Sequence, residues 1–198
     1  GLEEWEEWLK NHLDIPCTLV TNEVMAVVSD LPTPQGILAV MLYEKVNMPE
    51  LTGGWLLLDN VQDPGNVGTM IRTADAFGLS GVVLGKGSAD IYSTKVLRSM
   101  QGSNYHLPIL QTDLEQMIPL LKEQNFNIYG TELNEDARSL EQVTVPEKYA
   151  IVMGNEGQGV RPEILSLTDK NIYIPIRGNA ESLNVGVAAG IVLYHFSL

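Results

Sequence analysis

Three glycine-containing segments of this 198-residue chain combine turn residues with polar side chains that could contact a ligand. They are Asp63-Pro64-Gly65-Asn66-Val67-Gly68, Met153-Gly154-Asn155-Glu156-Gly157-Gln158-Gly159, and Ile174-Pro175 with the following Ser182-Leu183-Asn184-Val185. Each segment comes directly after an apolar run. In an open α/β sheet, the turns that leave the carboxyl ends of the strands converge on one crevice, where such sheets bind ligands. The three segments therefore predict one composite site.

The first segment leads into a helix whose apolar residues recur at helical spacing from Val67 to Phe77. Asn66 is predicted to cap this helix at its N-terminus. Arg72 falls beside the apolar stripe, in the second turn, where its guanidinium could hold a phosphate with two parallel hydrogen bonds. The alternative is that Arg72 is an ordinary surface cation.

The other two segments also offer polar candidates. Glu156 is the only charged residue of a loop whose three glycines let the backbone approach a ligand, so it could contact a ligand or cap the next helix. Ser182 and Asn184 precede the last helix, and both could serve as caps. Because His12, His106 and His195 are scattered, no metal site or catalytic triad is predicted.

Composition limits the function classes. The formal charge of −13 argues against binding nucleic acid by general phosphate neutralisation, so any RNA contact must be local. Arg72, Lys86, Lys95 and Arg98 fall in one stretch, and they form either a local basic path or four ordinary surface cations. The chain has a single cysteine, Cys17, and it contains no apolar run near 20 residues and no leader. We therefore expect a cytoplasmic protein without membrane contact. Because the chain opens with Gly1, we also expect an upstream region to be missing.

The elements that must position these residues alternate between strand and helix from residue 55 onward, which predicts parallel pairing. We expect an α/β fold with a mostly parallel sheet of about six strands and helices on both faces. Predicted strands cover 55–58, 81–84, 107–110, 127–130, 150–153 and 171–174, and predicted helices cover 67–77, 93–101, 114–124 and 184–196. A dinucleotide-binding oxidoreductase is disfavoured, because no Gly-x-Gly-x-x-Gly follows the first strand.

Taken together, the motifs Asn66-x-Gly68-x-x-x-Arg72-x-Ala74, Gly154-x-Glu156-x-x-Gly159 and Ile174-Pro175-x-x-Gly178-x-x-x-Ser182-Leu183-Asn184-Val185 resemble the three signature motifs of the SpoU (TrmH-type) RNA 2′-O-ribose methyltransferases of the SPOUT superfamily. The resemblance covers residues 55–198. Residues 17–48, with Pro32-Thr33-Pro34-Gln35-Gly36, resemble the end of the L30e-like substrate-binding domain of ribosomal-RNA members. We therefore expect a remnant of that domain at 1–48, a linker at 49–54 and the methyltransferase domain at 55–198.

The resemblance implies S-adenosylmethionine as the methyl donor, a homodimer and a C-terminal trefoil knot. No metal is required, because a sulfonium already carries its leaving group. The resemblance places cofactor contacts at Gly130, Thr131, Gly154, Glu156, Ile174, Pro175, Ser182 and Leu183. It gives catalytic roles to Arg72, Asn66, Glu156, Ser182 and Asn184, completed either within one protomer or across the dimer interface. Because arginine is effectively always protonated, we expect Arg72 to fix the phosphate next to the target ribose, and any role as a base to depend on that contact.

The expected function is methylation of a ribose 2′-hydroxyl in 23S ribosomal RNA. Two alternatives remain open at this point: a transfer-RNA 2′-O-methyltransferase, and a non-catalytic RNA-binding or assembly protein that keeps the fold. Intact motifs favour an enzyme over a scaffold, and binding of the methyl donor would separate the two.

Overall fold

The computed structural model describes residues 6–8, 10–12, 14–29, 31–42 and 47–198. The chain divides into two compact units, residues 1–44 and residues 45–198. The first unit contains helix α1 (Asn22–Val28), which begins where the Thr21 side chain accepts a hydrogen bond from the Val24 amide. Residues 1–5, 9, 13, 30 and 43–46 of the predicted small domain lie outside the described residues, and its L30e-like character stays a prediction.

The second unit is built on a parallel sheet, which confirms the expected fold class. Its strand order is β3-β2-β1-β6-β4-β7-β5, and every neighbouring pair is parallel. The sheet has seven strands rather than about six. The strands are β1 (Gly54–Leu58), β2 (Gly81–Leu84), β3 (Ile109–Gln111), β4 (Asn127–Thr131), β5 (Arg138–Ser139), β6 (Tyr149–Met153) and β7 (Lys170–Tyr173).

Helices cover both faces of this sheet, as expected. They are α2 (Pro64–Ala76), α3 (Thr94–Met100), α4 (Leu114–Glu123), α5 (Pro162–Leu165) and α6 (Val185–Phe196), with short 3₁₀ turns at Ser103–Tyr105 and Leu140–Gln142. Buried side chains of α2, α3 and α6 join one core cluster, and those of α4 and α5 join the other. Within the described part of the chain, no helix is long and apolar enough to span a membrane.

The central strand β1 shows why this sequence folds into a sheet with two covered faces. All five of its residues are buried, and successive side chains enter opposite cores: Trp55 and Leu57 pack in one cluster, Leu56 and Leu58 in the other. Such continuous apolar runs are typical of parallel strands that are buried on both sides. Each fully buried side chain of this size contributes about 1.5–3 kcal/mol of transfer free energy.

Two predicted boundaries differ from the structure by two residues or more, and a proline bears on each. Strand β3 begins after Pro108, because proline has no amide hydrogen to donate to a ladder; its carbonyl instead accepts from the Val82 amide. Helix α2 begins at Pro64, three residues before the predicted start, and its N-cap is Asp63 rather than Asn66. Proline is favoured in the first helical turn, and the Asp63 carboxylate accepts the Asn66 amide at 2.9 Å. The trefoil knot stays a prediction.

Candidate active site

A cleft of about 620 Å³ opens beside the carboxyl ends of β4, β6 and β7. Its walls are the loop 154–159, hereafter the glycine loop, the segment that leaves β7, and the start of α6. The lining combines exposed backbone with aliphatic side chains, as is usual for small-molecule sites. Seven of the predicted cofactor-binding residues line it: Thr131, Gly154, Glu156, Ile174, Pro175, Ser182 and Leu183.

Gly130, also predicted to contact the cofactor, is not among the lining residues of this cleft. It lies within β4, and a Cβ at this position would stand 2.5 Å from Asn171 Oδ1. The absence of a side chain at Gly130 therefore allows tight packing against Asn171 of the neighbouring strand β7. The next residue, Thr131, does reach the cleft, and its hydroxyl donates a hydrogen bond to the Val152 carbonyl at 2.8 Å.

The glycine loop is closed at its base by its own backbone. Asn155 and Gly159 exchange two hydrogen bonds, both at 2.9 Å, and Gly159 has a φ of 73°, which favours glycine. Gly154 is in closer contact still, since a Cβ there would stand 2.2 Å from Gly159 C and from Val160 N. The loop therefore needs glycine at position 154 for its two ends to approach each other.

The Glu156 carboxylate joins the glycine loop to the start of α2. Its Oε1 accepts hydrogen bonds from the Asp63 amide at 3.1 Å and from Asn66 Nδ2 at 3.0 Å, and its Oε2 accepts one from the Gln62 amide at 3.3 Å. Partial burial raises the pKa of Glu156, but the hydrogen bonds from Asn66 and from backbone amides outweigh it, so the net pKa is below the ordinary value. Glu156 is therefore ionised at neutral pH.

Asn66 extends this network to the last helix. While Asn66 Nδ2 donates to Glu156, its Oδ1 accepts a hydrogen bond from Asn184 Nδ2 at 3.2 Å. Asn184 is the N-cap of α6, as its capping role predicted, and its Oδ1 accepts from the Gly186 and Val187 amides. Because Asp63 takes the cap of α2, the Asn66 side chain is free for this bridge. The structure thus brings together one polar residue from each of the three motifs: Asn66, Glu156 and Asn184.

Arg72 stands apart from that network. It is exposed on α2, does not line the cleft, and has no carboxylate partner among the described residues. Two other cations of the predicted basic path are paired: Lys86 with Asp113, and Lys95 with Asp63 at 3.3 Å. Of the four cations only Arg72 and Arg98 have no such partner in the part of the chain described.

Sequence reasoning overlooked the residues that hold the glycine loop from outside. Asn155 Nδ2 donates to the Asn60 carbonyl at 2.9 Å, while its Oδ1 accepts from the Gly157 and Gln158 amides. Asp59 is completely buried and pairs with Arg161. A charged residue directly after the apolar run of β1 was the available signal for Asp59. Within the described ranges, no group of three or more His, Cys, Asp or Glu residues could hold a metal ion.

The chain is similar in sequence to known RNA methyltransferases. The profile of the SpoU rRNA Methylase family matches residues 55–194. The chain is 45% identical over 183 residues to the 23S rRNA (guanosine(2553)-2′-O)-methyltransferase RlmP of Bacillus subtilis, a match that covers 91% of this chain and 72% of that protein. It is 35% identical over 182 residues to an uncharacterised tRNA/rRNA methyltransferase of Synechocystis, covering 89% of this chain and 65% of the relative, less than two thirds of its length.

Solved structures are similar as well. One of a TrmH-family RNA methyltransferase from Porphyromonas gingivalis superposes with a TM-score of 0.81 at 34% identity, covering 92% of this chain and 72% of that one. An AdoMet-bound rRNA methyltransferase from Sinorhizobium meliloti superposes with a TM-score of 0.82 at 28% identity, covering 89% and 69%. Because the family profile matches residues 55–194, which are most of the chain, this protein belongs to the SpoU rRNA methylase family.

Proposed function

We propose that this chain transfers a methyl group from S-adenosylmethionine to a ribose 2′-hydroxyl of 23S ribosomal RNA. The observation that carries the proposal is the junction of the three motifs: a cleft of about 620 Å³ with the Glu156–Asn66–Asn184 network at its rim. RNA methylation is the named activity of the relatives, and the RlmP relative makes a guanosine the favoured target. A ribosomal RNA substrate also agrees with the expected cytoplasmic location.

The cleft residues fit this donor in size and chemistry. Ligand pockets commonly measure about 300–1,000 Å³, and adenine needs an apolar slot with backbone groups at its edge. Ile174 and Leu183 supply apolar surface, and the glycine loop and Pro175 expose backbone beside them. Ser182 adds an exposed hydroxyl at the same cleft. We assign donor binding to these residues and to Thr131, Gly154 and Glu156.

The bound sulfonium supplies an electrophilic methyl group that already carries its leaving group, so the protein must mainly position the ribose and help remove its proton. We assign the positioning to the polar network. Because Asn66 has both ends of its amide engaged, its orientation is fixed, and the loop from Asp59 to Asn66 is held against the glycine loop. Arg72 grips the phosphate beside the target ribose, for which a planar guanidinium is better suited than an ammonium.

The surface of α6 supports the expected homodimer. Four large apolar residues recur along one face of this helix and beyond its end at spacings of four, three and four: Val187, Ile191, Tyr194 and Leu198. Their exposed fractions are 54%, 39%, 56% and 85%, a run of apolar surface that protein interfaces usually cover. We propose that a second copy covers it, and that Arg72, which stands outside its own cleft, completes the active site across that interface.

Mixing two inactive variants tests the shared site. Arg72→Ala and Glu156→Ala would each inactivate a homodimer by removing a different part of the site. If the site combines both protomers, random mixing forms heterodimers with one intact site, and about a quarter of the original activity returns. No recovery after mixing, with exchange of subunits verified, would place the whole site in one protomer.

The reaction itself is tested on 23S ribosomal RNA from cells that lack the enzyme, incubated with the full chain and S-adenosylmethionine. Digestion to nucleosides and mass spectrometry should reveal a 2′-O-methylated nucleoside, with guanosine as the expected base. Methyl transfer to transfer RNA alone would favour the alternative substrate. Donor binding without any transfer, or no donor binding at all, would favour the non-catalytic alternative.

A further inference from the structure

A buried ion pair lies outside the cleft but directly against the glycine loop. Asp59 follows β1 and is 0% exposed, and Arg161 precedes α5 with a side chain that is 30% exposed. Asp59 Oδ2 accepts a hydrogen bond from the Arg161 amide at 2.8 Å, and Oδ1 accepts one from Arg161 Nε at 2.8 Å. Arg161 Nη2 also lies 2.8 Å from Oδ1. Neither residue lines the cleft.

Asp59 contacts both ends of the glycine loop. Its own amide donates to the Met153 carbonyl at 2.8 Å, immediately before the loop, while its carboxylate holds Arg161, two residues after the loop. The neighbouring Asn60 carbonyl accepts the Asn155 side chain at 2.9 Å, within the loop itself. Residues 59 and 60 therefore fix the loop before, within and after the stretch that lines the cleft.

Stability alone is a poor explanation for this pair. Removing a carboxylate and a guanidinium from water costs free energy that their attraction only partly offsets, so apolar pairs of similar size often stabilise a protein equally well. Arg161 does, however, meet the carboxylate through two donors, its backbone amide and its Nε, and such a charge-assisted arrangement fixes direction and distance. What an apolar pair could not supply here is a defined position for the loop ends.

We propose that Asp59 and Arg161 are positioning residues for methyl-donor binding: the pair holds the two ends of the glycine loop so that Gly154 and Glu156 keep their places at the cleft. The inference rests on the proposed function, because it assumes that the cleft binds S-adenosylmethionine. It assigns neither residue a contact with the donor or with RNA.

The test compares an apolar replacement of the pair with a matched control. In the double variant Asp59→Leu, Arg161→Met, the apolar pair is expected to preserve folding. The control Lys122→Met removes the ion pair between Lys122 and Asp169, whose charged atoms are 2.8 Å apart. This pair does not contact the glycine loop. Each full-length protein is titrated with S-adenosylmethionine by calorimetry, its thermal unfolding is followed, and kcat and KM are measured for donor and RNA.

We expect the folded double variant to bind S-adenosylmethionine at least about tenfold more weakly, since displacing a binding loop by a fraction of an ångström is costly. Its KM for the donor should rise by a larger factor than its KM for RNA. Lys122→Met should bind like the original protein. A folded double variant with unchanged donor affinity would reduce the pair to a structural role and overturn the inference.

A second variant covers the case in which the double variant does not fold. Asp59→Asn keeps the shape and one oxygen acceptor but loses the charge, and we expect donor affinity to fall about threefold to tenfold. Unchanged affinity in Asp59→Asn would contradict the inference. If the unaltered protein bound no S-adenosylmethionine, the proposed function would fail instead, so the two failures can be told apart.

Discussion

Gly154→Ala is the sharpest perturbation of the glycine loop that the structure offers. The added Cβ would stand 2.2 Å from Gly159 C and Val160 N, and 2.4 Å from Gly159 O, so only a backbone shift can relieve the overlap. Carbon atoms at ordinary contact are about 3.5–4 Å apart, so the loop must open by more than about 1 Å. In an enzyme, a misplacement of about 1 Å can cost about 10²-fold in rate. Because the displaced loop lines the cleft, we expect a loss of the same order in the affinity for S-adenosylmethionine.

The assay is calorimetric titration with the donor, accompanied by thermal unfolding to verify that the variant is folded. Overpacking of this kind should lower stability by about 1–3 kcal/mol, which a domain of this size can tolerate. The control is Gly157→Ala in the same loop, where the nearest atom to an added Cβ, Asn155 Oδ1, is 3.7 Å away. Equal affinities for the two variants, or a Gly154→Ala protein that binds like the original, would refute the reasoning.

Three further predictions concern the polar network and Arg72. In Glu156→Gln, one carboxylate oxygen is replaced by an amide NH₂ group, which would face other hydrogen-bond donors. We expect kcat/KM to fall by about 5- to 30-fold, corresponding to about 1–2 kcal/mol. Unchanged kinetics would contradict the role of Glu156 in joining the glycine loop to α2. Because the pKa of Glu156 is lowered, the carboxylate contributes fully to stability above the ordinary carboxyl pKa, and this contribution is lost as pH falls through the lowered value. The free energy of unfolding of Glu156→Gln should therefore depend less on pH in the acid range below the ordinary carboxyl pKa, and an identical slope would argue against this contribution. Arg72→Lys should lose about 10- to 100-fold in kcat/KM for RNA with unchanged donor affinity, and near-complete turnover would show that bidentate phosphate contact is the wrong account.

Much of the fold could be predicted because apolar runs bounded by glycine and polar residues mark buried parallel strands. The strand Gly81–Leu84 matches its prediction at both ends, since it is continuously apolar and glycines stand at position 81 and directly after it, at position 85. Strand β5 was missed because it consists of only two polar residues, Arg138 and Ser139. Pairing with β7 at the edge of the sheet decides its structure. No periodic pattern exists in so short a segment.

The composite site was predictable for a different reason: the chain topology brings the carboxyl ends of parallel strands to one edge. The detailed contacts were less accessible. A cap at Asn66 was a reasonable inference from local sequence, but Asp63 followed by Pro64 provides a better one, which frees Asn66 to bridge Glu156 and Asn184. The distance of Arg72 from the cleft depends on how helices pack and on what covers them, and neither can be read from spacing along the chain.

A crystal structure of the full chain with S-adenosylhomocysteine, the product of the proposed reaction, would test the central claim most directly. We expect this ligand in the cleft, with its adenine beside Ile174 and Leu183, its backbone contacts on the glycine loop around Gly154, and the Glu156–Asn66 hydrogen bond retained. A ligand bound at any other place on the molecule, or a glycine loop that must unfold to admit it, would contradict the account.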